Sequence, residues 1–382
     1  MRPGICLFTD SLEPSGLGEH VLTLAAELKT AFAISVVCPQ TRSGAPVLER
    51  AASLGVAVLP LEVRGRARSR RRLQAWLRAA GIEVFHAHAG IGWEGHAGVQ
   101  AARAAGVPVV IRTEHLPNVI TDSAQRRAYA LMSGLVDATI CVSRGVARSY
   151  VAQALTRSAV RVVHNGIRPR LPRRTRAATR RSIGLPPDAR LILSVGRLTA
   201  QKGHADLIKA VPGVLGAAGS AHVAIAGGGV LEAELAQLAR ATGVADHVSL
   251  LGARQDVPEL IEASDVVVLP SLFEGLPIVA LEAMALGAAV IGTQVCGMSE
   301  AVVDGETGRL VAPGRPDLLA DAIAEALADD GLRASWGAAG HRRFTQYFTA
   351  ARMAAQTRSV YREFAALAEA RGARELHSRL SA

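Results

Sequence analysis

The stretch Val266-Val267-Val268-Leu269-Pro270-Ser271-Leu272-Phe273-Glu274-Gly275-Leu276-Pro277-Ile278-Val279-Ala280-Leu281-Glu282-Ala283-Met284-Ala285 reads as strand, turn and helix in succession. Four apolar residues, three of them β-branched, predict a buried strand over Val266–Leu269. Gly275 supplies the turn, and Pro277 suits the first helical position because it has no N–H to leave unpaired there. Glu274 then lies in the loop before the helix and Glu282 inside it. From Pro277 to Glu282 the helix axis advances roughly 7 Å. The unpaired N–H groups of a helix start lie between the two carboxylates and favour an anion. Carboxylates suit hydroxyls and N–H groups suit phosphate. The pattern fits an elongated ligand with hydroxyls at both ends and phosphate between, such as a nucleotide sugar. An amphipathic helix with one exposed Glu and one loop Glu fits the same letters.

The same strand–helix alternation runs through the chain. In the first half, strands are predicted at Ile5–Phe8, Ile34–Cys38, Val56–Leu59, Val84–His86, Val109–Arg112 and Thr139–Val142. A loop through Gly16 and Gly18 follows the first strand, and His20–Leu28 reads as an amphipathic helix. The alternation stops at the turn His164-Asn165-Gly166-Ile167. It restarts at Leu191–Val195 and continues at Val223–Ala226, Val248–Leu250, Val266–Leu269, Ala289–Ile291 and Gly308–Val311. Alternation of this kind implies parallel, doubly wound sheets. The fold class is α/β, with two such domains in tandem facing a cleft. The expected boundaries are 1–167, an Arg-rich linker at 168–182, a second domain at 183–345, and a helical segment at 346–382.

Composition supports this frame. The 382 residues are 49% hydrophobic and only 4% aromatic, enough for packed cores and too ordered in pattern for a disordered chain. The net charge of +10 is local: residues 64–73 carry six arginines and residues 168–181 seven, with no acid in either stretch. These thirteen exceed the whole net charge. Solvated loops in an Arg-biased sequence account for them, as does a surface meant for anionic lipid, polyanionic substrate or nucleic acid. The scarcity of aromatics argues against single-stranded nucleic acid, which needs stacking platforms. Cys6, Cys38, Cys141 and Cys296 are too widely spaced for a metal pattern and read as buried thiols. The apolar run after Met1 is too short for a signal peptide, and glycines and Pro212 interrupt the uncharged stretch Val211–Leu231. The expected location is cytoplasmic, with peripheral attachment at the inner membrane face through Arg64–Arg72.

Candidate chemistry falls just after predicted strands, where ligands of such sheets bind. Strand Leu191–Val195 runs into Gly196-Arg197-Leu198-Thr199-Ala200-Gln201-Lys202-Gly203. Arg197 can grip phosphate oxygens in a planar fork, and Lys202 adds a point charge. No Asp-x-Asp occurs to hold a metal–diphosphate. Strand Val223–Ala226 runs into Gly227-Gly228-Gly229, which permits close approach of backbone to a ligand or to a neighbouring loop. Asn165-Gly166 is first a turn signal. His86 and His88 point the same way if their strand continues, but no third ligand has suitable spacing, so no metal centre is expected. His115 follows another strand and is either cleft-facing or structurally bonded.

Several segments carry a resemblance to a known family. They are Leu251-Gly252-Ala253-Arg254-Gln255-Asp256-Val257-Pro258, the run from Ala263 to Pro277, Glu282-Ala283-Met284-Ala285, and Asp304-Gly305-Glu306-Thr307-Gly308. In this order they resemble the retaining glycosyltransferases of family four, with the GT-B fold, over most of residues 191–315. The first half matches more loosely, through Gly16, Gly18, His86, His88, His115, Ser143 and Asn165. The resemblance implies hexosyl transfer from a nucleotide-diphosphate sugar, with UDP or GDP as the nucleotide and no tightly bound cofactor. The acceptor would be a sugar, a lipid-linked or a small-molecule hydroxyl, in polysaccharide or glycolipid synthesis. Glu282 would bind the ribose, Glu274 the donor sugar, and Gly275, Leu276 and Pro277 the sugar and distal phosphate. Arg197 and Lys202 would clamp the diphosphate, Gly16, Gly18, Gly196 and Gly228 would line the donor, and Arg254 would border the base. His115 would sit near the sugar, and the last helix would cross back to the first domain near Phe348-Thr349. In many family members an acid follows the histidine, whereas here Glu114 precedes His115. A GT-B sugar epimerase or phosphorylase shares the architecture; an Arg-rich nucleic-acid-binding protein is the reading from a different class.

Overall fold

The computed structural model describes residues 2–62 and 66–380. The chain divides into two compact units, Met1–Gly166 with Thr349–Ala382, and Ile167–Phe348.

The first unit is a parallel sheet of seven strands: β1 Gly4–Phe8, β2 Ala33–Pro39, β3 Ala57–Leu61, β4 Ile82–Ala89, β5 Val109–Glu114, β6 Ala138–Cys141 and β7 Ala159–Val162. Their order is β3-β2-β1-β4-β5-β6-β7. Strand order reverses between β1 and β4, the place where ligands of such sheets bind. Every residue of β1 and β5 is buried; β1 reads as a continuous apolar run, whereas β5 starts apolar at Val109–Ile111 and ends in the buried polar residues Arg112, Thr113 and Glu114. β7 escapes the sequence reading because Arg161 interrupts it and all four of its residues are half-buried. Arg161 forms an ion pair with Glu363 on the last helix, Ala350–Leu380. That helix packs Met353, Ala354, Val360, Tyr361 and Phe364 into the first unit's core.

The loop expected through Gly16 and Gly18 is helix instead, Ser15–Leu28. Gly18 is buried, and a Cβ there would press on Val47 of the neighbouring helix Ala45–Ser53 at 2.9 Å. Its small size serves packing between helices, while Gly16 stays exposed in the first turn.

The second unit is a parallel sheet of six strands: β8 Leu191–Val195, β9 His222–Ala226, β10 Val248–Leu250, β11 Val266–Leu269, β12 Val290–Thr293 and β13 Arg309–Val311. Their order is β10-β9-β8-β11-β12-β13. The reversal falls between β8 and β11, which pair directly. The cationic loop after β8 and the glutamate loop after β11 are therefore neighbours. The uncharged stretch 211–231 is the end of helix His204–Ala218, β9 and a glycine loop. Pro212 lies inside that helix rather than ending it.

The segment 168–182, expected as a linker, belongs to the second unit. Its helix, Arg176–Ser182, docks on helix Val257–Ala263. Arg180 is only 3% exposed. It donates to the carbonyls of Ala263 (2.9 Å) and Pro187 (2.6 Å) and to Asp265 (2.8 Å). Arg176 donates to the carbonyl of Ser264 at 2.7 Å. Helix carbonyl ends lack partners of their own and attract cations, so these arginines cap a helix instead of bridging domains.

Candidate functional site

In the second unit, backbone contacts weld two loops together. Gly203 has φ +64°, and a Cβ on it would overlap the carbonyl oxygen of Pro270. The amide of Leu272 donates to the Gln201 carbonyl at 2.8 Å, and Gln201 Nε2 donates to the Phe273 carbonyl at 3.1 Å. This register sets Lys202 Nζ 2.5 Å from Glu274 Oε1. Ser271 Oγ donates to the same oxygen at 2.8 Å. Glu274 is 5% exposed and Lys202 part-buried, so the pair is shielded from solvent yet open on the lysine side. Thr293 in turn donates to the Ser271 carbonyl and holds the loop from β12.

The triple glycine lies against the loop after β8. Gly196 donates to Ala226 at 3.0 Å and Leu198 to Gly228 at 2.9 Å. A Cβ on Gly227 would collide with the Gly196 carbonyl. These glycines are explained first by loop-on-loop contact; at Gly228 alone the nearest atom to an added Cβ is 4.0 Å away. Arg197 is half-buried in the same loop. His204, missed by the sequence reading, opens the next helix buried beneath it. Its Nδ1 lies 3.3 Å from Ser194 Oγ, and burial lowers its pKa to about 4. The quoted motif ended one residue short of it.

The helix expected from Pro277 begins at Ile278, with Pro277 as its N-cap. Glu282 lies inside it and pairs with Arg170 at 3.1 Å, an ion pair with a residue of the former linker. Arg254 grips Asp256 in a fork at 2.8 and 2.7 Å, and this bond holds the Asp256 carboxyl below its ordinary range. The Arg254 guanidinium thus fixes its own loop.

In the first unit, the carboxyl ends of β1, β4 and β5 converge on histidines. His86 and His88 point the same way, with ring centroids 4.1 Å apart. His86 is tied to Tyr361 Oη (2.7 Å) and Thr113 Oγ1 (2.6 Å), a structural role. His88 is fully buried and meets His115 Nε2 through Nδ1 at 3.3 Å. The amide of His115 donates to the Ala89 carbonyl at 2.9 Å and so extends the β4–β5 ladder. His20, from helix Ser15–Leu28, lies with its ring centroid 4.6 Å from His115 and 5.2 Å from His88. Its Nδ1 donates to Asn165 Oδ1 at 3.0 Å. Asn165, which the sequence marks as a turn residue and as part of the looser family match, is buried here. Burial brings His20 to about pKa 4 against the opposing pull of its bond to Asn165, and holds His88 and His115 well below the usual histidine range, with neighbouring rings adding to the effect at those two. At neutral pH all three rings are uncharged.

Glu114, the acid before His115, takes no part in this cluster. Arg112 forks onto it, and Tyr129 Oη (2.7 Å) and Tyr150 Oη (3.1 Å) donate to it in the core. Ser143 caps helix Arg144–Val151 by accepting from the Val146 amide at 3.1 Å.

Two parallel sheets of this order, each with polar residues at its switch point, define a class of nucleotide-using α/β protein. The family model "Glycosyl transferases group 1" matches residues 175–343, and "Glycosyltransferase Family 4" matches residues 14–171. Alpha-maltose-1-phosphate synthase of Mycolicibacterium smegmatis is 31% identical over 390 residues, covering 92% of this chain and 96% of the relative. An uncharacterized glycosyltransferase of Methanocaldococcus jannaschii is 36% identical over 181 residues, but there the match spans less than half of either chain (46% of each). Among solved structures, Anabaena HepE in complex with UDP and glucose superposes with a TM-score of 0.83 at 19% identity, covering 95% of this chain and all of that one. The chain belongs to the group 1, family four glycosyltransferases and has their GT-B fold.

Proposed function

We propose that the protein transfers a hexosyl unit from a nucleotide-diphosphate sugar to an acceptor hydroxyl, with retention of configuration at the anomeric carbon. The observation that carries this reading is the Lys202–Glu274 pair at the adjoining ends of β8 and β11. It puts a cation for a leaving diphosphate beside a carboxylate for sugar hydroxyls. Arg197 shares the diphosphate, Glu282 takes the ribose, and the backbone at Gly275, Leu276 and Pro277 contacts sugar and distal phosphate. Gly196 and Gly228 line the donor, and the loop of Arg254 borders the base. His115 is assigned to the donor sugar and Gly16, exposed in the first turn of its helix, to donor binding; Gly18 is left out of the ligand site because it packs on Val47.

In the reaction, the bond from anomeric carbon to diphosphate oxygen breaks and the acceptor oxygen bonds to the same face. Its proton passes to the departing phosphate oxygen. The residues named position the reactants and stabilise the charge that develops on the diphosphate, which side-chain cations and backbone donors can do without a metal at that point. The UDP seen with the Anabaena protein favours a uracil donor over a guanine one.

Attachment to an anionic membrane is part of the proposal. Arg68, Arg70, Arg71 and Arg72 are exposed on helix Arg66–Ala79, while its Leu73 and Leu77 are buried. Arg64 lies outside the described residues. Among the described residues, no helix is long and apolar enough to cross a membrane. Such a cationic face suits a lipid-linked acceptor in polysaccharide or glycolipid synthesis.

The test is a screen of UDP-, GDP- and ADP-sugars by thermal shift, followed by product mass and anomeric NMR with candidate acceptors. Release of nucleotide with a product heavier by one hexosyl unit and of retained configuration is expected. Stoichiometric conversion of the donor sugar without acceptor would replace transfer by epimerisation.

A further inference from the structure

We propose that Trp93, with the carboxylates of Asp10 and Glu94, forms an acceptor subsite on the first unit that takes an uncharged sugar ring. The inference rests on the glycosyl-transfer reading and names the class of its acceptor. Trp93 is 50% exposed, and no other residue of the loop 90–95 after β4 is exposed. The loop stands at the carboxyl end of β4, which pairs with β1 at the switch point of the sheet. Ligands of such sheets bind there.

An exposed tryptophan alone means little. This one sits on a backbone pinned from beneath. Arg112, in β5, is fully buried and donates to the carbonyls of Gly92 (3.0 Å) and Glu94, the residues on either side of Trp93. His96 Nε2 donates to the Gly92 carbonyl at 2.8 Å. The Gly90 amide donates to Glu94 Oε2 at 2.6 Å, and the Gly95 amide to Asp10 Oδ1 at 2.7 Å. A Cβ on Gly92 would overlap Ile120 of the loop after β5. Taking a guanidinium out of water is unfavourable, and here that cost fixes one loop in one conformation. A ring carried on a fixed backbone loses little entropy when a ligand settles on it.

The chemistry around the ring selects the ligand. The face of an indole is apolar and carries negative π density, which suits the C–H face of a pyranose. Asp10 and Glu94 each use one carboxylate oxygen on loop amides. Among the described residues, no other residue donates to the second oxygen of either, so both can accept from sugar hydroxyls. Leu12 and Val119, on the loops after β1 and β5, add exposed apolar surface. Residues 10–14, 90–95 and 116–120 contain Asp10, Glu13 and Glu94 and no lysine or arginine. Like charge therefore disfavours a phosphorylated sugar or an anionic lipid headgroup on this face. An alkyl chain would match the apolar surface but would leave the carboxylates desolvated and unpaired. A neutral, hydroxyl-rich ring satisfies both.

The test is saturation-transfer NMR on the full-length protein. The probes are the methyl α-glycosides of glucose, mannose and galactose, the matching sugar 1-phosphates, and n-octanol. At least one methyl glycoside should bind through its ring protons, and its 1-phosphate at least about 10-fold more weakly. Trp93→Ala should weaken that glycoside at least about 10-fold, and Trp93→Phe should recover most of the loss. Both variants should keep the wild-type melting temperature and affinity for UDP, since Trp93 is exposed and belongs to the first unit. Binding of no methyl glycoside, octanol bound in their place, or undiminished glycoside binding in Trp93→Ala would overturn the proposal. Failure of the wild type to bind any nucleotide sugar would instead overturn the glycosyl-transfer reading, so the two failures are told apart.

Discussion

Lys202 and Glu274 depend on each other, and this sets how their variants behave. Lys202→Ala removes the proposed diphosphate clamp and also strands Glu274, whose oxygen then keeps only Ser271 as a hydrogen-bond donor among the contacts described above. Turnover should fall by roughly 100–1,000-fold, the usual cost of losing one donor to a developing anion. Stability should drop as well, because an unpaired buried carboxylate is unfavourable. The double variant Lys202→Ala with Glu274→Gln separates the two effects: melting temperature recovers and turnover does not. Recovery of both would remove Lys202 from the reaction. These residues were legible because a single strand–turn–helix unit carries Glu274 and a single loop carries Lys202. Their 2.5 Å pairing was not, since it depends on β8 lying beside β11. The histidine cluster was less legible still. His86 and His88 drew notice for their spacing, while the partners that complete the group come from a helix and a different strand.

At the scale of elements, the turn at Gly203 holds the two loops of the second unit in contact. Gly203→Ala meets a positive φ and the Pro270 carbonyl at once. A destabilisation of about 1–3 kcal/mol or more is expected from the backbone strain alone, read as a lower urea midpoint, with nucleotide affinity falling in parallel. Unchanged affinity would mean that the register of these loops does not set the site. The helix Arg66–Ala79 makes a separate prediction. Replacing Arg68, Arg70, Arg71 and Arg72 with Gln should abolish binding to anionic vesicles, and the wild type should lose binding as salt rises. Equal retention on neutral vesicles would exclude the electrostatic mechanism. The sequence showed the charge of this helix plainly. It misled at the second arginine cluster, where composition resembled a linker but Arg176 and Arg180 cap a helix end and bond Asp265.

At the scale of the whole molecule, strand–helix periodicity sufficed to read both parallel sheets, except for the half-buried edge strand β7. Folding also leaves buried histidines that couple stability to pH. His204 is 2% exposed, and its pKa falls from 6.5 to about 4 on folding. Between these values the unfolded chain binds the extra proton, so stability decreases as pH falls. The contribution is full above pH 6.5 and is lost by about pH 4, amounting to roughly 3 kcal/mol. His204→Gln should flatten the decline of melting temperature across this window; an unaltered slope would show that other groups govern it.

The most direct measurement of the central claim is calorimetric titration of the wild type, Glu282→Ala and Glu274→Gln with a free nucleoside diphosphate and with the matching nucleotide sugar. The wild type should bind both. Glu282→Ala should weaken both ligands alike through the lost ribose contact. Glu274→Gln should leave the free nucleotide nearly unchanged and weaken the sugar-bearing donor about 10-fold or more, the effect of roughly 1.4 kcal/mol. Equal weakening of both ligands by Glu274→Gln, or no binding of any nucleotide sugar by the folded wild type, would contradict the account.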